Sequence, residues 1–327
     1  MFQRIDDMWE EALTALTNTG DSHMSRNGGT HELLGYQAVL QDPQRTWLTN
    51  SQRALSPIYA ASELLWYLSG EQNIERVFAY APRYCDFAEN GIAHGAYGFR
   101  MTSSPGWPME ISQLDAVIAL LREKPGTRQA VLSLWHCSDL YHAILGDHKD
   151  LPCTLALQFI LRGGFLHCVA TMRSNDMWLG FPYDIFAFTT LQRLVAWEVN
   201  VRVGCYTHQV GSVHAYACNL DRIYEALKHP GVLAPDAHHW QRPAVFDLNT
   251  QIQHALMLER VAREMRLPPN VEELCPIFAD LVLCAAAKWV PVDCEGVQSP
   301  ALRKALYADT RRYGWSGKDD AVQETLG

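Results

Sequence analysis

Residues 151–184 read LPCTLALQFILRGGFLHCVATMRSNDMWLGFPYD, and this stretch decides the fold. Thr154 to Arg162 and Phe165 to Ser174 are rich in apolar and β-branched residues, as strands are. Gly163-Gly164 between them is a two-residue turn that tolerates the positive φ angles of a tight hairpin. The two segments should therefore pair antiparallel, with Arg162 facing Phe165. Carried along the ladder, that register puts Cys153 opposite Ser174 and beside Arg173, with opposed residues roughly 5 Å apart. One bulge would shift the pairing by one residue.

Working outward, Ile185 to Val199 is a long apolar helix, and Val210 to Ala217 reads as a further strand. Upstream, Gln129 to Trp135 is a strand, and Ile111 to Arg122 a helix ended by Pro125-Gly126. A helix over Ile58 to Leu68 is stopped by Gly70. Asn90-Gly91 and Ser103 to Gly106 are turns, and Arg26 to Thr30 is a polar loop. The N-terminal segment carries Ile5, Met8, Trp9, Ala12, Leu13 and Leu16 at helical spacing, so it is a core helix and not a signal peptide. The C-terminal third holds two or three helices among proline-rich connections. Helices flanking a sheet make the fold class α+β.

The composition is that of an ordinary globular chain of 327 residues, 48% apolar and 19% charged. A formal net charge of −9 argues against a life on nucleic acid, so any bound phosphate must be met by a few placed arginines. Nine cysteines without a CxxC motif suggest reduced thiols in a cytoplasmic protein. The apolar run from Ile277 to Val290 contains Asp280 and Lys288 and is too short to span a bilayer.

Several side chains could carry chemistry. Cys153 follows Pro152 at the mouth of a strand, and a neighbouring Arg173 would favour its thiolate; the plain alternative is an inert core cysteine. Gly180 would let a flat ring approach the backbone. Asp184 could be a ligand contact, although its place before a helix favours a cap. His214 and Tyr216 are two apart on a strand, so both point to one face, where they could bind a sugar hydroxyl or simply be satisfied core groups. Glu63 lies among large apolar residues, either as a snorkelling surface group or as a buried acid fit for proton transfer. His238-His239 reads as a surface loop, and no metal site is expected.

Together these pieces resemble thymidylate synthase and its relatives, the pyrimidine-nucleotide hydroxymethylases. The matching motifs, in order, are Glu63 to Gly70, then Tyr97-Gly98 with Arg100, then Leu151-Pro152-Cys153 with Gln158-Phe159, then Arg173 to Asp184, then Gly211 to Tyr216. They cover roughly residues 1–225. The resemblance implies a large mixed β-sheet that forms a homodimer interface. It implies one catalytic domain over residues 1–327, with 226–327 a divergent extension. It also implies that Cys153 adds to C6 of a pyrimidine nucleotide, so that C5 attacks the methylene of 5,10-methylenetetrahydrofolate. Arg26, Arg173 and Ser174 would hold the phosphate, with Arg128 supplied by the second subunit. His214 and Tyr216 would hold the sugar, and Asp176, Leu179 and Trp66 would contact the folate. Glu63 and Tyr97 would serve proton movement near C5.

The departures refine this. The synthase has asparagine where this chain has Asp184. A carboxylate suits the amino group and protonated N3 of cytosine, and Pro-Tyr-Asp is the cytidylate hydroxymethylase version of the motif. Thr154 replaces a histidine beside the nucleophile, Gln129 an arginine, and Ser212 an aspartate. Arg83 to Phe87 replaces a tryptophan-bearing segment near the folate, and Ala321 to Gly327 does not match the synthase tail. Both of the last changes would admit water and give a 5-hydroxymethyl product with tetrahydrofolate. The resemblance thus implies a cytidylate 5-hydroxymethylase, acting on dCMP or, as in nucleoside-antibiotic synthesis, on CMP. A thymidylate-forming methylase and a non-catalytic nucleotide-binding protein are the alternatives. A Cys-His hydrolase using Cys153 and His214 lacks motif context.

Overall fold

The computed structural model describes residues 1–25, 28–103, 111–231 and 237–310. Arg26 and the segment Ala321 to Gly327 lie outside these described residues. A mixed six-stranded sheet organises the chain, in the order β1-β2-β6-β5-β4-β3. Its strands are β1 (Asp21–Ser25), β2 (Gly28–Leu40), β3 (Val131–Ser133), β4 (Thr154–Arg162), β5 (Phe165–Asp176) and β6 (Arg202–Tyr216). All pairs are antiparallel except β5 with β6, which the helix α7 (Phe181–Glu198) connects as a crossover.

The β4–β5 hairpin turns at Gly163 and Gly164, both at positive φ (57° and 78°), and Arg162 faces Phe165 as expected. The register shifts between Thr154 and Ala156, so Thr154 pairs with Met172. This is the anticipated one-residue bulge, and Cys153 lies opposite Arg173 instead of Ser174. The backbone N–H of Arg173 donates to the Cys153 carbonyl at 2.8 Å.

That shift belongs to a longer feature. In β5 and β6 the core-facing residues are even-numbered up to Met172 and Val210, then odd-numbered from Asn175 and Val213. In β2 the same change falls between Leu33 and Tyr36, where Gly35 takes φ 68°. The strands keep their pairing across the change, with Leu34 opposite Ser212 and Ser212 opposite Ser174. A crease therefore crosses the sheet along Cys153, Arg173, Gly211 and Gly35. A Cβ on Gly211 would stand 3.0 Å from the Arg173 carbonyl, so glycine is what lets the strands meet there.

One face of the sheet carries the core. The N-terminal helix α1 (Ile5–Thr19) packs on β2, and α7 packs on β5 and β6. The other face presents half-buried Gln158, Ile160, Val169, Thr171, Thr207 and Gln209. Helix α2 (Pro57–Ser69) is capped by Ser56 and ends on Gly70 in the left-handed region. Between it and β3 come the helices α3 (Glu75–Tyr80), α4 (Tyr97–Ser103) and α5 (Gln113–Glu123). After β3 comes α6 (Cys137–Leu145), and after β6 come α8 (Leu220–Lys228), α9 (Leu248–Arg260), α10 (Pro276–Ala286) and α11 (Pro300–Thr310). Helices α9, α10 and α11 all pack on α2. Buried Glu259 of α9 pairs with Arg76 and Arg263 and accepts from Tyr80 Oη at 2.8 Å.

Several local expectations are corrected. Of the expected polar loop Arg26 to Thr30, the described part, Gly28 to Thr30, belongs to β2, which pairs with β1 so that Gly28 lies opposite Ser25. Strand β6 begins at Arg202, eight residues before the expected start at Val210. His238 is not at the surface. It is 1% exposed, stacks on Trp240 at 4.4 Å and hydrogen-bonds Ser299 through Nδ1 at 2.7 Å.

Candidate active site

Cys153, half-buried, sits where the crease meets the end of β4. Arg173 is beside it and is held in place by its own bonds, Nε to the Pro152 carbonyl and Nη2 to that of Leu151, both 3.0 Å. Its guanidinium also lies 5.8 Å from the Trp135 ring. The arginine thus braces the loop that presents the sulfur. Burial pushes the Cys153 thiol up, and Arg173 opposes that without reversing it. The expected net lowering by Arg173 does not hold in this site, because desolvation is the larger effect. The Tyr97 hydroxyl reaches the same place by accepting from the Thr154 N–H at 3.2 Å. Thr154 Oγ1 is buried with no hydrogen-bond partner among the described residues.

Glu63 projects from α2 and is buried, not snorkelling. Tyr59 Oη donates to it at 2.6 Å, and Tyr67 also hydrogen-bonds it. Burial raises its pKa to about 7 in spite of those donors, which poises it for proton transfer near neutrality.

Asp184 lies in the first turn of α7, because the helix begins at Phe181, earlier than the apolar run suggested. It is not the N-cap; Gly180 holds that position. The Asp184 carboxylate turns to Asn175, whose Nδ2 donates to Oδ2 at 2.8 Å. Burial, and then the nearby Glu63 charge, push its pKa up to about 8. Gly180 leaves room for this pairing. A Cβ there would be 3.1 Å from both Asn175 Nδ2 and Asp184 Oδ2. Its role in the structure is to admit these two side chains.

Beyond the crease, Ser174, Asp176, Ser212, His214 and Glu32 fall on one face, the face opposite the core. Ser174 Oγ is 3.4 Å from His214 Nδ1, and the His214 and Tyr216 rings meet edge-on at 5.2 Å. Ser212 donates to Glu32, so a carboxylate from β2 stands beside the position where the family has its aspartate. Asp176 Oδ1 accepts from the N–H groups of Trp178 (2.7 Å) and Leu179 (2.9 Å), fixing the turn into α7. Its Oδ2 is buried with no partner among the described residues. Leu179 is 55% exposed beside it.

Two expected contacts are not assembled here. Trp66 is 1% exposed, with its indole N–H on the Asn73 carbonyl and its ring against Tyr84 at 5.1 Å. It supports the wall from behind and offers no face to a ligand. Arg128 is exposed, and its carbonyl accepts from Gln158, five residues along β4 from Cys153, or roughly 16 Å at strand rise. Sequence reasoning missed Arg53. It donates to the Trp178 carbonyl and lies 5.5 Å from the Trp178 ring and 5.3 Å from that of Tyr183. It also passed over His208 and Tyr206, whose period-two spacing on β6 was the available signal.

Among the described residues the group closest to a metal-ligand set is His142, Asp147 and His148. The His142 and His148 rings are stacked 3.7 Å apart and within 14° of parallel. One possible ligand atom from each of the three residues lies within 4.8 Å of the others. No helix among the described residues is long and apolar enough to cross a membrane.

The sequence relationships agree with this geometry. A deoxyuridylate hydroxymethyltransferase of Pseudomonas phage M6 is 33% identical over 220 residues, which are 65% of this chain and 60% of the phage protein. The chain thus spans less than two thirds of that relative. A thymidylate synthase of Buchnera aphidicola subsp. Baizongia pistaciae (strain Bp) is 28% identical over 233 residues, 68% of this chain and 84% of that enzyme. The family model described as thymidylate synthase matches residues 7–252, well over half of the chain. A chain that carries this match, and this sheet, belongs to the thymidylate synthase family.

Proposed function

We propose that the protein is a cytidylate 5-hydroxymethylase. Cys153 Sγ adds to C6 of the pyrimidine, and C5 becomes an enamine-like nucleophile that takes the methylene from 5,10-methylenetetrahydrofolate. Loss of the C5 proton expels tetrahydrofolate as its N–CH2 bond breaks, water adds to the exocyclic methylene so formed, and departure of Sγ from C6 restores the ring, giving 5-hydroxymethyl-dCMP (or -CMP) and the free thiol. The observation that carries the base assignment is Asp184. Its side chain has one oxygen held by Asn175, and the other takes no hydrogen bond among the described residues, so it can accept from the cytosine amino group and carry a proton toward N3. Glu63 is the proton-handling acid, and Tyr97 stands beside Cys153.

Hydroxymethylation, not methylation, is supported by the phage relative's name and by the exposed segment that replaces the synthase's tryptophan. In that segment Phe87 is 52% exposed and Arg83, Cys85 and Asp86 are exposed, leaving water a path. Arg173, Ser174 and Arg26 hold the phosphate, and His214 with Tyr216 the sugar. Gly180 keeps the base wall close, and Asp176 and Leu179 meet the folate. The half-buried outer face of the sheet is the homodimer interface, which accounts for Arg128 lying far from its own Cys153. Residues 226–327 extend a single catalytic domain, and their helices α9, α10 and α11 buttress α2. Nine free cysteines suit a cytoplasmic setting.

A second reading, a deoxyuridylate hydroxymethylase, is favoured by the substrate for which the phage relative is named. A protonated Asp184 has one donor and one acceptor, as an amide does. The test is turnover of dCMP, CMP and dUMP with methylenetetrahydrofolate, with products weighed by mass spectrometry. A hydroxymethyl cytosine nucleotide is expected. Turnover of dUMP alone would establish the second reading, and dihydrofolate formation would make the enzyme a methylase.

A further inference from the structure

Behind Asp184 runs a chain of buried polar groups. Tyr206 Oη is 2.8 Å from His208 Nδ1, and His208 Nε2 is 3.0 Å from Asn175 Oδ1. Asn175 Nδ2 then donates to Asp184 Oδ2. Tyr206 and His208 are 0% exposed and Asn175 4%. Burial drives the His208 pKa down to about 3, so the ring is neutral and carries a single N–H. An amide oxygen accepts only, so that hydrogen is on Nε2, and Nδ1 must accept from Tyr206. Every donor in the chain therefore points toward Asp184.

We propose that Tyr206, His208 and Asn175 form a polarised positioning relay that keeps the acid proton of Asp184 on Oδ1, the oxygen facing the pyrimidine, and off Oδ2. This rests on the one-carbon-transfer reading of the site. With Oδ2 committed as an acceptor, an Asp184 proton has only Oδ1 to occupy. Addition of Sγ to C6 moves electron density onto N3 of cytosine. The Oδ1 proton passes to N3 as the C6–S bond forms, and Asp184 is left as a carboxylate; on a uracil ring the receiving atom would be O4. The reversed relay is self-consistent in hydrogen bonds except at its end. Asp184 Oδ2–H would donate to Asn175 Oδ1, Asn175 to His208 Nε2, and His208 Nδ1–H to Tyr206. The Tyr206 hydroxyl hydrogen would then be buried with no acceptor among the described residues. Tyr206 sets the polarity, and the proton follows it.

The isosteric pair His208→Gln and His208→Glu separates polarity from shape. Glutamine can donate to Asn175 and accept from Tyr206, preserving the direction. Ionised glutamate can only accept, so it flips the Asn175 amide and draws the Asp184 proton onto Oδ2; because burial favours the neutral acid, its ionisation is confirmed by the carboxylate band in the infrared difference spectrum between the two variants before their rates are compared. With the preferred pyrimidine nucleotide, His208→Gln should keep kcat within about 5-fold, whereas His208→Glu should lose about 100-fold in kcat, the scale of one general acid. KM should stay within about 3-fold in both, because Oδ1 still accepts from the base. Equal kcat in the two variants would overturn the relay. So would a loss carried by KM. Long-range 1H–15N NMR of the wild-type protein, with the His208 signal assigned by its loss in His208→Gln, reads the tautomer without turnover. An Nε2–H ring is expected, and an Nδ1–H ring refutes the proposal even if His208→Glu fails to fold. That spectrum is independent of which base the enzyme accepts, so failure of the relay and failure of the substrate assignment are distinguishable.

Discussion

Replacing Asp184 by asparagine should turn the proposed cytosine site into a uracil site, and the structure gives the direction. Asn175 Nδ2 donates into this position at 2.8 Å, and Asn175 cannot readily flip because its Oδ1 is engaged by His208. The amide introduced by Asp184→Asn must therefore present its oxygen to Asn175 and its NH2 group to the base. Against uracil that NH2 donates to O4. Against cytosine it meets the exocyclic amino group, donor to donor, and two N–H groups are left unpaired in a desolvated site. Each such group costs about 1–3 kcal/mol. The pair costs about 2–6 kcal/mol, or roughly 30-fold to more than 10⁴-fold in the ratio of kcat/KM for dCMP over dUMP, the range seen for sites that read one polar group. The assay is initial-rate kinetics with each nucleotide at saturating methylenetetrahydrofolate, on wild type and variant. A ratio changed by less than about 3-fold would refute the reasoning and return Asp184 to a purely structural role in α7.

Cys153→Ser should abolish turnover while leaving nucleotide binding by calorimetry within a few-fold, since the sulfur supplies a bond and not a binding contact. Glu63→Gln should remove the limb near pH 7 from the kcat profile. It should also flatten the stability profile relative to wild type. Glu63 binds its proton more tightly when folded, so that contribution is complete below the unfolded pKa of 4.5 and is lost as pH rises through about 7; parallel melting curves of the two proteins across pH 4–8 would contradict this. Mixing inactive Cys153→Ser and Arg128→Ala chains and allowing subunit exchange should restore part of the activity, because one site of the mixed dimer has both an intact cysteine and an intact partner arginine. Continued silence after confirmed exchange would remove Arg128 from the site.

The hairpin was fully legible because two glycines at a tight turn leave little choice of register, and Cys153 missed its partner by the single residue that a bulge allows. The bulge itself was not legible in β4 alone. It is part of a crease through strands that meet only in three dimensions. The start of α7 was misplaced because Phe181-Pro182 reads as loop until proline is recognised as a first-turn residue, and that error made Asp184 look like a cap. His238 looked like a surface residue because two adjacent histidines in a proline-rich stretch resemble loop. Nothing local announces the Trp240 and Ser299 that bury it. The relay behind Asp184 escaped for the same reason: its members come from β5, β6 and α7, and each alone is an ordinary core residue.

The crease has a consequence for how this family can change its chemistry. On the near side of it, even positions of β5 and β6 face the core and odd positions face outward. On the far side the parity is exchanged, so Ser174, Asp176, Ser212 and His214 form one set and Asn175, Val213 and Ala215 another. Substitutions within the first set can retune a ligand without disturbing a packed side chain. An insertion or deletion of one residue would swap the two sets wholesale. Drift by replacement is open to such a sheet while drift by length is closed, which is how relatives can exchange substrates and keep the same strands.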